Sequence, residues 1–251
     1  MVETTHSQEE VSDERMERMF KVGAHFAYSK SRRHPSMKPY IFGAKNKVEL
    51  FDLEKTAKIL DNAKAFVEEL GRGRKTIVFV SGKREAREAI RDAAASLSMP
   101  FVAGRWIGGS FTNFSEIRKR IDKYEDLVSK REKGELSKYT KKERLLIDRE
   151  ITALEDMFLG IVPLKKLPDA VFVIDAGHEE IAVTEAHAVN VPVVALISSD
   201  CDATSVEYPI IANDSSPSSI RFIVSEIVES YNKGLKMAPV VSEPSQQPPR
   251  A

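Results

Sequence analysis

The sequence offers a single cysteine, Cys201, so no intramolecular disulfide can form, and a reducing compartment suits the chain. No apolar run approaches the roughly 18 residues that span a bilayer. The opening stretch, MVETTHSQEEVSDERMERMF, lacks both the apolar core of a secretory signal and the acid-poor, arginine-rich character of a transit peptide. A cytoplasmic protein without a membrane partner is the expectation. Net charge is missing too: 38 lysines and arginines balance 38 acids, so the average charge points to no polyanionic partner.

Two local absences are more telling than the balanced total. From Arg18 through Val48 there is no acid, while Lys21, Lys30, Arg32, Arg33, Lys38, Lys45 and Lys47 are interleaved with Phe20, Phe26, Tyr28, Tyr40 and Phe42. Cations near phosphates release condensed counterions, and exposed aromatics stack on unpaired bases, so the stretch reads as a nucleic-acid side. A solvated basic surface over core aromatics is the plainer alternative. Between Lys166 and Arg221 there is neither lysine nor arginine, while Asp169, Asp175, Glu179, Glu180, Glu185, Asp200, Asp202, Glu207 and Asp214 all occur. A phosphate backbone would repel such a lobe, which is expected to face solvent or another protein.

Catalytic chemistry is the third absence. Gly71-Arg-Gly73-Arg-Lys-Thr76 lacks the third glycine of a dinucleotide fingerprint and precedes its strand instead of following it, so it reads as a turn. Nothing matches a P-loop; Ser81-Gly82-Lys83 follows a strand and opens a helix, at most a weak seat for one phosphate. His178 and His187, nine residues apart on one expected helix, point about 180° from each other and cannot share a metal. His25 and His34 fall in the basic stretch, where hydrogen bonds to phosphate or backbone suit them. Cys201 sits between Asp200 and Asp202, which disfavour its thiolate. No further ligand spacing accompanies those carboxylates. No catalytic residue, cofactor, metal or small-molecule substrate is expected.

What is present is an alternation. Thr76–Val80, Ala170–Ile174 and Val193–Ile197 are continuous apolar strands, with a shorter one at Phe101–Ala103. Helical spacing covers Leu53 to Leu70 with Gly71 as its stop, then Arg84–Leu97, Glu179–Val189 and a last helix opening at Ser216-Pro217. This predicts an α/β domain, a parallel sheet covered by helices on both faces. Tyr40–Phe42 and Val48–Phe51, around Gly43–Asn46, predict a hairpin, and Ser12 a capped short helix to about Val22. Thr112 to Phe158 differs: it is dense in balanced charge, with Ile117, Ile121, Tyr124 and Val128, then Leu146, Ile147, Ile151 and Leu154, at helical spacing. Gly134 breaks the pattern and Thr140-Lys-Lys-Glu143 reads as a capping box, so an inserted antiparallel helical hairpin, a coiled-coil arm, is predicted. The expected organisation is a disordered leader over 1–11, the α/β domain over 12–111 and 159–233, the arm over 112–158 and a disordered, proline-containing tail over 234–251. The loop from Gly104 to Phe114 holds the only tryptophan, Trp106, beside Arg105 and ahead of Gly108-Gly109. It reads as the hinge of the arm, with Arg105 available to clamp a phosphate and Trp106 fixing the loop.

The motifs Gly23-Ala-His-Phe26, Arg33-His-Pro-Ser-Met-Lys-Pro-Tyr-Ile-Phe-Gly43, Asp52-Leu-Glu-Lys-Thr56, Val78-Phe-Val-Ser-Gly-Lys-Arg84, Arg105-Trp-Ile-Gly-Gly109, Thr112-Asn-Phe114, Leu167-Pro-Asp-Ala170, Glu180-Ile-Ala-Val-Thr-Glu-Ala186, Cys201-Asp202, Tyr208-Pro-Ile210 and Asn213-Asp214 follow one another between about Glu17 and Tyr231. Together they resemble the bacterial family of the second small-subunit ribosomal protein. The resemblance implies a flavodoxin-like sheet with a protruding hairpin and a seat on small-subunit ribosomal RNA near the junction of head and body. It also implies neighbouring ribosomal proteins as partners, among them the large RNA-binding first protein. The chain departs from the family pattern at Ala27-Tyr28, where Gly-His is usual, at Arg33, where an aromatic is usual, and at Asp175-Ala-Gly-His178, which has lost its cations.

On this reading Lys21, His25, Lys30, Arg32, Arg33, Lys38, Lys45, Lys83, Arg84, Arg105, Trp106, Arg118 and Lys119 are the expected RNA contacts. Glu179, Glu180, Asp200 and Asp202 are the expected protein-facing surface. Two rivals remain open on the residues alone: a sugar-phosphate or nucleotide-binding enzyme on the same fold, and a ribosome-associated factor that binds proteins through its acidic lobe.

Overall fold

The computed structural model describes residues 14–238. Five parallel strands form its centre: β4 (Ile77–Val80), β5 (Phe101–Val102), β6 (Ala170–Ile174), β7 (Val193–Ile197) and β8 (Tyr208–Ile211), ordered β5-β4-β6-β7-β8. Counted within this sheet the order is 2-1-3-4-5, the flavodoxin-like doubly wound arrangement. Continuous apolar strands fit because both faces are covered. Ile77 and Phe79 enter one core with Leu60, Ile90 and Ile223, while Val78 and Val80 enter the other with Trp106, Val183 and Ala186. The first core is roofed by α2 (Leu53–Arg72), α3 (Arg87–Leu97) and α7 (Pro217–Met237), the second by α6 (Glu180–Ala188). Strand β8 is absent from the sequence expectation; it carries Pro209, which an edge strand tolerates.

Helix α2 is capped by Asp52, which accepts from the amides of Glu54 and Lys55. It does not stop at Gly71. A Cβ there would lie 2.2 Å from the Tyr231 carbonyl oxygen, and one on Gly234 would lie 2.0 Å from that of Glu68. The two glycines let α2 and α7 cross at backbone contact, so Gly71 is a packing residue instead of a stop. Helix α7 continues to Met237, so the first residues of the expected tail are helical. Residues 14–21 form α1. The leader, the cap at Ser12 and positions 239–251 of the tail lie outside the described residues.

A second sheet is antiparallel: β1 (Phe26–Ser29), β2 (Ile41–Lys45) and β3 (Val48–Phe51), in the order β1-β3-β2. The hairpin turns later than expected, at Asn46 and Lys47 with φ of 52° and 66°, the pair of left-handed residues that a tight two-residue hairpin turn requires. This small sheet lies over the carboxyl ends of β7 and β8. Tyr28 N donates to Ser199 Oγ (3.0 Å), His34 N to the Ser199 carbonyl (2.8 Å), and Asn213 N to the Ala24 carbonyl (3.0 Å).

The segment between β5 and β6 folds as α4 (Phe114–Glu132) and α5 (Lys141–Phe158). Gly134 turns the chain at φ +72°. Thr140 and Glu143 form the capping box, with Thr140 N donating to Glu143 Oε2 at 2.8 Å. Ile117, Ile121, Ile151, Leu154 and Phe158 make a core of their own, joined by Ile161. The apolar stripe is shorter than the spacing suggested, because Leu145 and Leu146 are exposed.

Candidate nucleic-acid interface

In doubly wound sheets ligands enter at the carboxyl edge, where the strand order reverses, here between β4 and β6. That position is closed from within. Lys83, in the turn after β4, reaches Asp175 Oδ2 and Asp214 Oδ2, each at 2.7 Å, and Asp214 is fully buried. Burial alone would lower the ammonium pKa, but the two carboxylates outweigh it and hold the group well above the ordinary lysine range. Glu179 is buried beside them and accepts from Gly82 N (2.6 Å) and His178 Nδ1 (2.7 Å). Lys83, expected at the RNA, and Glu179, expected on the protein-facing surface, are both engaged by partners within the fold. Cys201 donates to Asp175, and burial together with that carboxylate pushes its thiol up to about 12. It is an inert group at neutral pH.

The cation-free segment is thus less acidic outside than its composition suggests. Glu185, also buried, accepts from the amides of Gly109, Phe111 and Thr112. Asp169 binds Thr76 N and Lys75, and Glu207 binds Val193 N and His187. Asp202 caps the turn at Thr204, and Asp200 pairs with Arg32 at 3.0 Å. Glu180 is exposed and has no ion pair among the described residues. Glu180, Asp200 and Asp202 line one open hollow of about 480 Å³ together with His187 and Thr204.

The acid-free segment divides differently. Arg33 donates to Glu49 at 2.7 Å and is mostly buried with it, a cation already engaged within the fold. His25 is sandwiched between Phe20 (centroids 4.4 Å apart, nearly parallel) and Phe26 (4.1 Å). Burial lowers its pKa and so disfavours the protonated ring. Lys21 stays exposed beside Glu17, and Arg32 lies over the Tyr28 ring. Lys30, Lys38, Lys45 and Lys47 are exposed with no ion pair among the described residues. So are Arg84 and Arg105, in the loops leaving the carboxyl ends of β4 and β5. Phe42 is 80% exposed on β2.

Two further expected contacts are relocated. Trp106 is buried edge-on against Phe111. Arg118 sits at the foot of the arm, bound to Asp122 and Glu125 and to the carbonyls of Val162 (3.0 Å) and Leu164 (3.4 Å). Lys119 remains outside, paired with Glu116. Sequence reasoning missed the far end of the arm. Lys123 and Lys130 on α4 are paired, with Glu150 and Asp126. Arg131, Lys133, Lys141, Lys142, Arg144 and Arg149 are free of ion pairs among the described residues. Counting charge along the whole insert averaged its paired and unpaired cations together.

Residues 19–234 match the family described as ribosomal protein S2. The chain belongs to that family. Small ribosomal subunit protein uS2 of Coprothermobacter proteolyticus is 39% identical over 219 residues, 87% of this chain and 82% of the relative. The protein of the same name from Sulfurimonas denitrificans is 40% identical over 87% of this chain and 85% of its own. The S2 family is one of ribosomal structural proteins and not of enzymes, so the chain is a structural constituent of the small ribosomal subunit, in the cytoplasm. Among the described residues no helix is long and apolar enough to cross a membrane.

Proposed function

We propose that this S2-family protein holds small-subunit ribosomal RNA through two cationic surfaces separated by the length of the arm. The first is the carboxyl edge of the parallel sheet with the small sheet above it: Lys30, Lys38, Lys45, Lys47, Arg84 and Arg105. The second is the far end of the arm. One observation carries the reading: these cations have no acid partner among the described residues, whereas nearly every acid of the cation-free segment is consumed by an amide or a cation of the fold. An unpaired exposed cation gains by displacing counterions from a phosphate backbone, whereas one already bridged would have to break its pair first. The protein-facing side is the hollow bordered by Glu180, Asp200 and Asp202, which repels RNA and suits a basic surface of a neighbouring ribosomal protein, the large first protein among the candidates.

Co-sedimentation tests the assignment. Wild type is expected to stay with the small subunit at moderately high salt, and the variant Lys30→Gln/Lys38→Gln/Lys45→Gln/Lys47→Gln to wash off. Equal retention of the two would place the RNA side elsewhere.

A further inference from the structure

The arm leaves the sheet domain through a loop whose own bonds, Ser110 to the Ile107 carbonyl and Asn113 N to that of Gly109, are local turns. Its paired glycines include Gly109 at φ +89°, and Asn113, the residue before α4, makes no side-chain cap bond. A hold on the rest of the fold comes from elsewhere in the sequence. Glu185 on α6 turns both carboxylate oxygens into this loop. Oε1 accepts from Gly109 N at 2.6 Å and lies 3.5 Å from Trp106 Nε1; Oε2 accepts from Phe111 N at 2.9 Å and Thr112 N at 3.3 Å. The carboxylate is buried and has no cation partner among the described residues. Its charge is answered by loop N–H groups alone, immediately ahead of the positive end of α4, where an anion is favoured.

We propose that Glu185 is the positioning residue that sets the direction of the arm for RNA binding. The proposal rests on the two-surface reading above. Two surfaces on one body act together only if their separation and angle match the RNA; the second contact is then effectively intramolecular, and its benefit disappears when the geometry is lost. Helices α4 and α5 are internally firm through their own core, so the angle is decided at the foot. There the returning chain is fixed by Arg118 on the Val162 and Leu164 carbonyls, and Gly160 passes so close that a Cβ would lie 2.1 Å from the Phe101 carbonyl oxygen. The outgoing chain has Glu185.

The test reads the aim of the arm without RNA. Spin labels are placed at Ser137→Cys on the arm and Ala95→Cys on α3, in the full chain carrying Cys201→Ser, and their distance distribution is measured with Glu185, Glu185→Gln and Glu185→Ala. A single narrow distribution is expected with Glu185. Glu185→Ala should broaden it markedly. Glu185→Gln should do so less, because its amide keeps one acceptor and turns a donor against the remaining N–H groups. Affinity for small-subunit RNA should fall on the order of tenfold in Glu185→Ala, the residual binding being that of one surface instead of two. If Glu185→Ala does not fold, the comparison with the parent is decided by Glu185→Gln. A folded variant with the narrow distribution of the parent overturns the proposal and leaves Glu185 a stabilising residue only. Broadening with undiminished RNA affinity upholds the hold on the arm and overturns the arm's RNA contact.

Discussion

The acid-free stretch from Arg18 to Val48 and the cation-free stretch from Leu167 to Ile220 are mirror images in composition and opposites in structure. The acids of the second are largely engaged, on backbone amides, on Lys83 or on Arg32, and Glu179, Glu185 and Asp214 are buried. The cations of the first stay largely outside, with Arg33 as the exception. The asymmetry follows from side-chain length and chemistry. A short carboxylate accepts several N–H bonds and can cap a loop or helix start in place, whereas a lysine ammonium keeps its charge in water at the end of a flexible stem. One-signed composition therefore marks a binding face more dependably when the sign is positive.

The largest test of this contrast is Lys83, the cation that sits on the acids' side of the division. Removing it in Lys83→Met leaves Asp175 and Asp214 buried against each other, and a loss of about 4 kcal/mol is expected in chemical denaturation at neutral pH. The deficit should depend on pH with a definite sign. In wild type, burial works to raise the Asp175 pKa, but Lys83 holds it below the ordinary aspartate value, so its contribution is present above about pH 4 and lost as the pH falls through the folded value. Burial already holds Asp214 above that value against the pull of Lys83. Without the lysine both carboxyls lie above their unfolded value, and such groups contribute stability on the acid side. The difference between variant and wild type should therefore shrink as the pH is lowered from 7 toward 4. A deficit that is constant or grows would mean the triad is not charged as drawn.

Next in size is a pair of neighbours. Arg33→Ala abandons the buried Glu49, whose Oε2 already has no partner among the described residues, and should cost about 3 kcal/mol. Arg32→Ala breaks an exposed pair with Asp200 and should change stability by less than about 0.5 kcal/mol. Equal losses in denaturation experiments would erase the distinction between structural and available cations. The smallest effect belongs to Glu180→Lys, which should leave stability within about 0.5 kcal/mol and leave specific RNA binding unweakened, with non-specific retention on RNA raised. Weakened specific binding would put RNA on the face assigned to protein.

Much of the fold is legible in the sequence because its signals are local. Ile77 to Val80 and Val193 to Ile197 are short apolar runs rich in β-branched residues that read as strands buried on both faces, and Thr140 to Glu143 carries its own capping geometry. The missed strands lack such signals: β1 is partly polar with irregular pairing, and β8 contains a proline tolerated only at an edge. The interface is less legible, since whether a cation is free depends on residues far away in the chain. Arg32 meets Asp200, Lys83 meets Asp214, and Glu185 meets a loop more than seventy residues before it. Gly71 looked like a stop because its partner, Tyr231 on α7, is likewise invisible locally.

On the proposed reading the lysines without partners are the ones RNA uses. The most direct measurement is affinity for small-subunit RNA over a range of salt concentrations, for wild type and for Lys30→Gln/Lys38→Gln/Lys45→Gln/Lys47→Gln. Each phosphate contact contributes about one unit to the slope of log affinity against log salt, so the variant's slope should be shallower by roughly one unit per contacting lysine, up to about four, with base preference and folding unchanged. A slope identical to that of wild type would contradict the claim and leave these lysines as solvated surface.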